Sequence, residues 1–368
     1  MPIEKVTVSR NDLIYEFVPD VTQTPDGKLI CIYRESDGHS VQHWSRLVTR
    51  TSVDGGHTWS DRTVIVESFP NEEGVVLKWN CPRIRYLSDG RLVALCDVMP
   101  VPPNENTDLT NSKVVMWFSE DAGESWSEAV ETPIFGIVPD KLLELPSGTW
   151  LVATHVRMKD GQYMREGQST EIVHRSEDQG KTWEGPYIVA HDMRYFLCEG
   201  SILALPDGEL VCYLRENSRK GLSAFKAFSK DEGRTWDGIY PTPMDGCHRP
   251  VSGMLPDGQV LVTYRYQQGG TSGTRTINEP ASWRGKTPGF WARNTFAYIE
   301  TVESAKARDL KEMGGVVLPI DHDHSPRSDS GYTGWVVQHD GRIFCVNYIV
   351  DDAPMAQIRG YWFSQSDF

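Results

Sequence analysis

Six pairs of residues, each 14 to 16 positions apart, stand out by type and spacing: Asp20 and Arg34, Arg83 and Asp97, Asp140 and His155, Glu199 and Arg215, Arg249 and Arg265, and Tyr332 and Asn347. All of them except Asn347 can ionise. Arginines such as 34, 83, 215, 249 and 265 hold planar anions through bidentate forks, so they suit a ligand bearing a carboxylate or sulfate. Asp and Glu can pass protons, the imidazole of His155 can act as general acid or base, and the phenol of Tyr332 can attack a carbon centre. The segment Glu35-Ser-Asp37-Gly-His39 adds another candidate acid, Asp37. The same residue types also suit an internal Arg–Asp network that pairs neighbouring elements and binds nothing.

Each pair brackets a turn. The turns read Pro25-Asp26-Gly27, Ser88-Asp89-Gly90, Pro146-Ser147-Gly148, Pro206-Asp207-Gly208, Pro256-Asp257-Gly258 and His339-Asp340-Gly341, and each is followed by a short apolar run such as LICIY or LVCYL. Asp-Gly between apolar residues is a strong hairpin signal, and the apolar runs read as buried strands. A second motif, S-x-D-x-G-x-[S/T]-W, starts at Ser52, Ser119, Ser176 and Ser229, spaced 67, 57 and 53 residues apart. Its Asp can cap the turn's own amides, its Gly allows a positive φ, and its Trp can pack the hairpin down. Four equivalent copies cannot all be one active site, so this motif is read as structural. The two turn types define six sheets of four antiparallel strands, with strands one and two joined at the first turn and three and four at the second. Small sheets repeated radially make a six-bladed β-propeller. The sixth sheet is one strand short, and Lys5–Ser9 is expected to supply that strand and close the ring. The expectation is a single all-β domain over residues 1–368, with a short helix only in 303–313.

Strand polarity places both repeated turns on one face. The paired residues, the long segments 61–80, 97–112, 156–169, 184–197, 266–294 and 304–331, and the aromatic residues Trp44, Trp79, Tyr195, Trp283 and Trp291 fall on or beside the other face. Long loops on a rigid scaffold are where function concentrates. Composition narrows the partners. With 37 Lys+Arg against 51 Asp+Glu, the net charge of −14 lacks the basic footprint of nucleic-acid binding. No apolar run approaches the roughly 20 residues that span a bilayer, and no signal-peptide core is visible at the start, so a cytoplasmic location is expected. The seven cysteines form no CxxC pair and mostly sit in apolar runs, the pattern of buried free thiols. Asp321-His322-Asp323-His324 alternates like a metal motif but lacks a partner motif, and it is read as a solvated loop; no metal or cofactor is expected.

The Trp-containing turn resembles the Asp-box of the sialidase (neuraminidase) superfamily, whose members are six-bladed propellers, and the likeness extends over nearly the whole chain. The resemblance implies a Tyr nucleophile activated by a Glu, with an Asp as general acid. Glu199 on blade four, Arg215 after it, Arg249 in Cys-His-Arg249-Pro on blade five and Tyr332 on the final blade follow the family's order. The family's first triad arginine has no counterpart in Phe-Val-Pro19-Asp20; the nearest look-alike, Cys-Pro-Arg83-Ile, falls one blade later, and Arg34 can substitute spatially. Asp20 and Asp37 stand as the candidate acids, with Asp97 and Asp140 also open. The implied function is an exo-acting glycoside hydrolase acting on an anionic carbohydrate. A polysaccharide lyase using His155 and Tyr332, or a non-catalytic glycan-binding propeller, are the alternatives.

Overall fold

The computed structural model describes residues 3–41, 43–102, 111–159, 162–163, 167–218, 222–267, 293–325 and 328–368. Its strands form six antiparallel sheets, each starting with a strand that runs from the ionisable face towards an Asp-Gly-type turn. Blade one is Tyr15–Gln23, Leu29–Ser36, Ser45–Ser52 and Thr63–Ser68. In blade two the first strand is broken into Val76–Trp79 and Arg83–Tyr86, both paired with Leu92–Val101, followed by Lys113–Ser119 and Val130–Phe135. Blade three is Leu143–Glu144, Trp150–Lys159, Gln168–Ser176 and Glu184–His191, and blade four is Leu197–Ala204, Leu210–Glu216, Phe225–Ser229 and Asp237–Pro241. Blade five contains Cys247–Met254, Val260–Gln267, Arg293–Glu300 and Gly315–His322. Blade six contains Ser330–Val337, Ile343–Ile349 and Gln357–Phe363, and Glu4–Ser9 adds its fourth strand, pairing Val6 with Gly360. The ring closes as the repeats require. The expected helix is one short turn, Val302–Lys306, capped by the Thr301 hydroxyl. No described helix is long and apolar enough to cross a membrane.

Packing follows the repeat. Six clusters of buried apolar side chains fill the gaps between neighbouring blades. In the Trp-containing turns the Asp holds the loop together: Asp54 Oδ1 accepts from Thr58 N at 2.9 Å and Ser52 Oγ at 2.8 Å, and Oδ2 accepts from Thr58 Oγ1 at 2.6 Å. Asp121, Asp178 and Asp231 repeat this pattern. Gly56 has φ +101°, and a Cβ there would lie 2.9 Å from Phe344 of blade six, so only glycine lets the turn seat on the preceding blade. All seven cysteines are free and buried.

Candidate functional site

In blades one, four, five and six the first strand carries a two-residue bulge near its start. Phe17 pairs with Arg34 and Asp20 with Ile32, so Val18 and Pro19 oppose a single residue. The same break falls at Glu199–Gly200, Arg249–Pro250 and Tyr332–Thr333. The first bulge residue is left-handed, with φ +50° at Val18, +52° at Glu199, +52° at Arg249 and +61° at Tyr332, and Val138, next to the isolated Ile137–His155 bridge ahead of the blade-three strand, has φ +53°. Such strain on non-glycine residues is concentrated at functional sites. The bulge aims the first residue away from its regular strand direction. Blades one and three present apolar Val18 and Val138 there, whereas blades four, five and six present Glu199, Arg249 and Tyr332. Ionisable Glu, Arg and Tyr thus occupy this position on three consecutive blades.

Glu199, Arg215 and Tyr332 meet. The Tyr332 hydroxyl donates to Glu199 Oε1 at 2.5 Å, and Arg215 Nη1 reaches the same oxygen at 2.7 Å and Tyr332 Oη at 3.3 Å. Arg215 Nη2 is steadied by Asn217 Oδ1 at 2.9 Å. The Arg265 guanidinium lies 4.8 Å from the Tyr332 ring centroid and touches His248 Nδ1 at 3.1 Å. Burial pushes the Glu199 carboxyl up, but the charge and hydrogen bond of Arg215 outweigh it and hold the group at about 2. Burial and the Glu199 charge push the Tyr332 phenol up. The resting pair is therefore a neutral phenol donating to a carboxylate. His155 accepts weakly from the Glu199 amide at 3.4 Å, and burial lowers it to about 4, so it is neutral at physiological pH.

The other sequence candidates sit elsewhere. Asp20, Arg83 and Asp140 lie two residues past the bulge, one level deeper, where blades four to six carry Ser201, Val251 and Gly334. Asp20 is fully buried, accepts from Val21 N and Ile84 N at 2.9 Å each, and pairs with Lys141 at 3.1 Å. Asp140 accepts from Ile202 N at 2.8 Å, and Asp97 from Cys81 N at 2.9 Å, Val138 N at 3.0 Å and Asn80 at 2.8 Å. These three carboxylates tie blade one to two, two to three and three to four. Arg83 donates to Thr333 O at 3.0 Å, and Arg249 to Pro139 O at 2.7 Å and Gly200 O at 3.2 Å. Both are buried and reach past a neighbouring blade. Arg34 stacks on Phe17 at 4.3 Å and donates to His39 O at 2.9 Å. Of the five arginines, Arg215 and Arg265 stand beside Tyr332. Asn347 is one residue out of register: it points into the gap towards blade five, donating to Thr295 Oγ1 at 2.7 Å, and Tyr348 occupies the axial position. His155 contacts Glu199 and not Asp140. Asp37 sits in the loop after the second strand of blade one, its Oδ2 accepting from His43 N at 2.9 Å and His43 Nδ1 at 2.7 Å.

A network that the sequence reading missed lies between blades one and six. Asp329 accepts from Tyr15 Oη and Arg293, from Tyr348 Oη at 3.0 Å, and from His39 Nδ1 at 2.6 Å. Burial pushes its carboxyl up, but the hydrogen bond of His39 and the charge of Arg293 bring it below the usual range. These residues come from blades one, five and six, and no local spacing links the three blades. In the Asp-His run, His324 pairs with Asp351 at 2.7 Å and Asp323 accepts backbone amides. Among the described residues no group of three or more His, Cys, Asp or Glu is placed to hold a metal ion. Trp79 is buried edge-on against Trp117, Tyr195 packs on Phe225, and Trp283 and Trp291 lie outside the described residues.

Residues 73–286 match the family model described as a BNR repeat-like domain. No curated protein matches the chain. Among solved structures, a protein of unknown function from Dyadobacter fermentans superposes with a TM-score of 0.75 at 20% identity, over 98% of both chains. The leech intramolecular trans-sialidase, complexed with 2,7-anhydro-Neu5Ac, gives 0.65 at 13% identity over 98% of this chain and 71% of that one. The α-L-arabinanase of Penicillium chrysogenum, complexed with arabinobiose, gives 0.61 at 14% over 99% of this chain and 98% of that one. At these identities the likeness is one of fold.

Proposed function

The chain belongs to the BNR repeat-like domain family, and from that premise we propose that it is an exo-acting glycoside hydrolase whose substrate carries an acidic sugar. The observation that carries the reading is the 2.5 Å hydrogen bond from Tyr332 to Glu199, buried beside Arg215. In the proposed reaction Tyr332 Oη attacks the anomeric carbon as its proton passes to Glu199, and water then hydrolyses the glycosyl-enzyme. A neutral phenol approaches an anomeric centre flanked by a carboxylate without the repulsion that a carboxylate nucleophile would meet. Arg265, stacked over the Tyr332 ring and hydrogen-bonded among the described residues to His248, which burial keeps neutral, is the cation available to that sugar's acidic group, with Arg215 behind it. The solved neighbours in complex with an anhydro sialic acid and with arabinobiose support a carbohydrate partner.

The test is a panel of sialosides, uronides and neutral glycosides, assayed with the native protein and with Tyr332→Phe. Turnover of an acidic glycoside is expected, and the variant should lose at least about 10³-fold in kcat while retaining the fold. Turnover that survives Tyr332→Phe would remove the nucleophile assignment. Release of an unsaturated uronide, seen by its ultraviolet absorbance, would replace hydrolysis with elimination using His155. Glycan binding without any product would leave a binding module.

A further inference from the structure

Protonation of the leaving oxygen needs an acid near Tyr332, and the carboxylates of the ring mouth are otherwise engaged. Asp20, Asp97 and Asp140 each accept backbone amides between blades, and Asp37 is turned onto His43. His39 differs. Its side chain is 52% exposed, and its ring edge packs on Phe17 with centroids 4.6 Å apart. Phe17 in turn lies 6.3 Å from the Tyr332 ring, so the imidazole stands one aromatic ring away from the proposed nucleophile. Retaining glycosidases hold the acid and the nucleophile on opposite sides of the anomeric carbon, and here the two candidate groups stand on either side of the Phe17 ring.

The imidazole is also oriented. Its Nδ1 donates to the Asp329 carboxylate at 2.6 Å, and that carboxylate is fixed in turn by Tyr15, Tyr348 and Arg293. The Asp329 backbone amide is anchored on Asp323 Oδ2 at 2.8 Å, and the His39 carbonyl on Arg34. A carboxylate on Nδ1 sets the tautomer and leaves Nε2 for reaction. Nε2 has no hydrogen-bond partner among the described residues. Asp329 also balances the ring's positive charge when Nε2 carries a proton.

We propose that His39, oriented by Asp329, is the proton donor to the leaving group. The inference rests on the Tyr332–Glu199 reading above. As the glycosidic C–O bond breaks, its oxygen takes the Nε2 proton and departs as an alcohol, while Tyr332 Oη bonds to the anomeric carbon and its own proton moves to Glu199. In the second half, His39 Nε2 takes a proton from the attacking water, the tyrosyl–carbon bond breaks, and Glu199 returns its proton to Tyr332. Asp329 is a positioning residue and does not touch the substrate.

The test compares two glycosides of one sugar, a 4-nitrophenyl glycoside and an alkyl glycoside, in the native protein, His39→Asn, Asp37→Asn and Tyr332→Phe. The Asn amide can still donate to Asp329 but supplies no acid. His39→Asn is expected to lower kcat/KM on the alkyl glycoside by about 10²–10⁴-fold, and on the nitrophenyl glycoside by about tenfold or less, because nitrophenolate leaves without protonation. Added imidazole should restore part of the alkyl rate. An equal loss on both substrates, or a leaving-group dependence that follows Asp37→Asn instead, would overturn the assignment while leaving Tyr332-dependent hydrolysis standing. No turnover by the native protein, or full turnover by Tyr332→Phe, would remove the hydrolase reading and this inference with it.

Discussion

At the scale of single residues, the site is governed by one opposition. Burial alone would protonate Glu199, and an acid that already holds its proton cannot accept the one from Tyr332. Arg215, 2.7 Å away, reverses this and sets Glu199 at about 2, below its ordinary 4.5. The lowered value places ionised Glu199 across the whole range from acid to neutral pH, and its loss of function should occur only as pH falls towards 2. Replacing Arg215 by Gln keeps a donor near Glu199 but removes the charge. The Glu199 value should then rise by about 1–3 units, since that is the usual effect of a close opposite charge. The acid limb of kcat/KM should move to higher pH by the same amount, beyond any uniform fall in rate. A pH–rate profile on a nitrophenyl glycoside reads it directly, and an acid limb that stays in place would show that Glu199 is not the titrating base.

At the scale of the strand, the bulge decides which side chains meet. Glu199 is left-handed, but Gly200 behind it is needed for room: a Cβ at Gly200 would lie 2.8 Å from both Cys212 Sγ and Glu171 Oε1. Both neighbours are buried, with Glu171 fully enclosed and pushed well up by desolvation. Gly200→Ala should therefore cost about 1–3 kcal/mol through overpacking, measured as a lower urea midpoint with an unchanged slope. A midpoint within error of the native protein would show that this wall yields. The bulge also explains where the sequence was legible and where it was not. Hairpins, blade order and ring closure rest on local turn chemistry, Asp-Gly and Ser-x-Asp-x-Gly, and could be read directly. The bulge places positive φ on Val, Glu, Arg and Tyr, with no glycine or asparagine to mark it. Counting from the turns therefore put Asp20, Arg83 and Asp140 at the level of Glu199, and Asn347 in the place of Tyr348. The available signal was the recurrent proline at positions 19, 82, 139 and 250, which lacks an N–H and suits the residue where the ladder is interrupted. It is missing at Gly200 and Thr333, on two of the blades that carry the chemistry. The His39–Asp329 contact spans 290 residues, and no local pattern encodes it.

At the scale of the whole molecule, the ring is held shut where Glu4–Ser9 completes blade six beside blade one. Ser9 Oγ donates to Glu16 Oε1 at 2.7 Å and accepts from Tyr33 Oη at 2.9 Å, and Glu16 N donates to Ala356 O at 3.0 Å, so Glu16 touches both sides of the seam. Its other carboxyl oxygen is buried with no partner among the described residues. Burial raises Glu16 from an ordinary 4.5 to about 7; the Glu35 charge adds to this, whereas the Ser9 hydrogen bond, the Arg50 charge and the Ile358 amide oppose it. The folded state thus holds a proton that the unfolded chain releases at lower pH. The stabilisation from this proton is complete below about pH 4.5 and is lost as pH rises towards 7, because there the folded state must either keep a costly proton or bury a charge. A rise from 4.5 to about 7 corresponds to about 3 kcal/mol at most, and partial relaxation should leave on the order of 1–3 kcal/mol. Glu16→Gln keeps an acceptor for Ser9 and cannot ionise. Its stability relative to the native protein should therefore increase between pH 5 and pH 8 by that amount, measured as the difference in urea midpoints at the two values. A difference that does not change with pH would mean that water or movement of the seam already relieves the buried charge. A change of the opposite sign would mean that Arg50, and not burial, governs the closure of the ring.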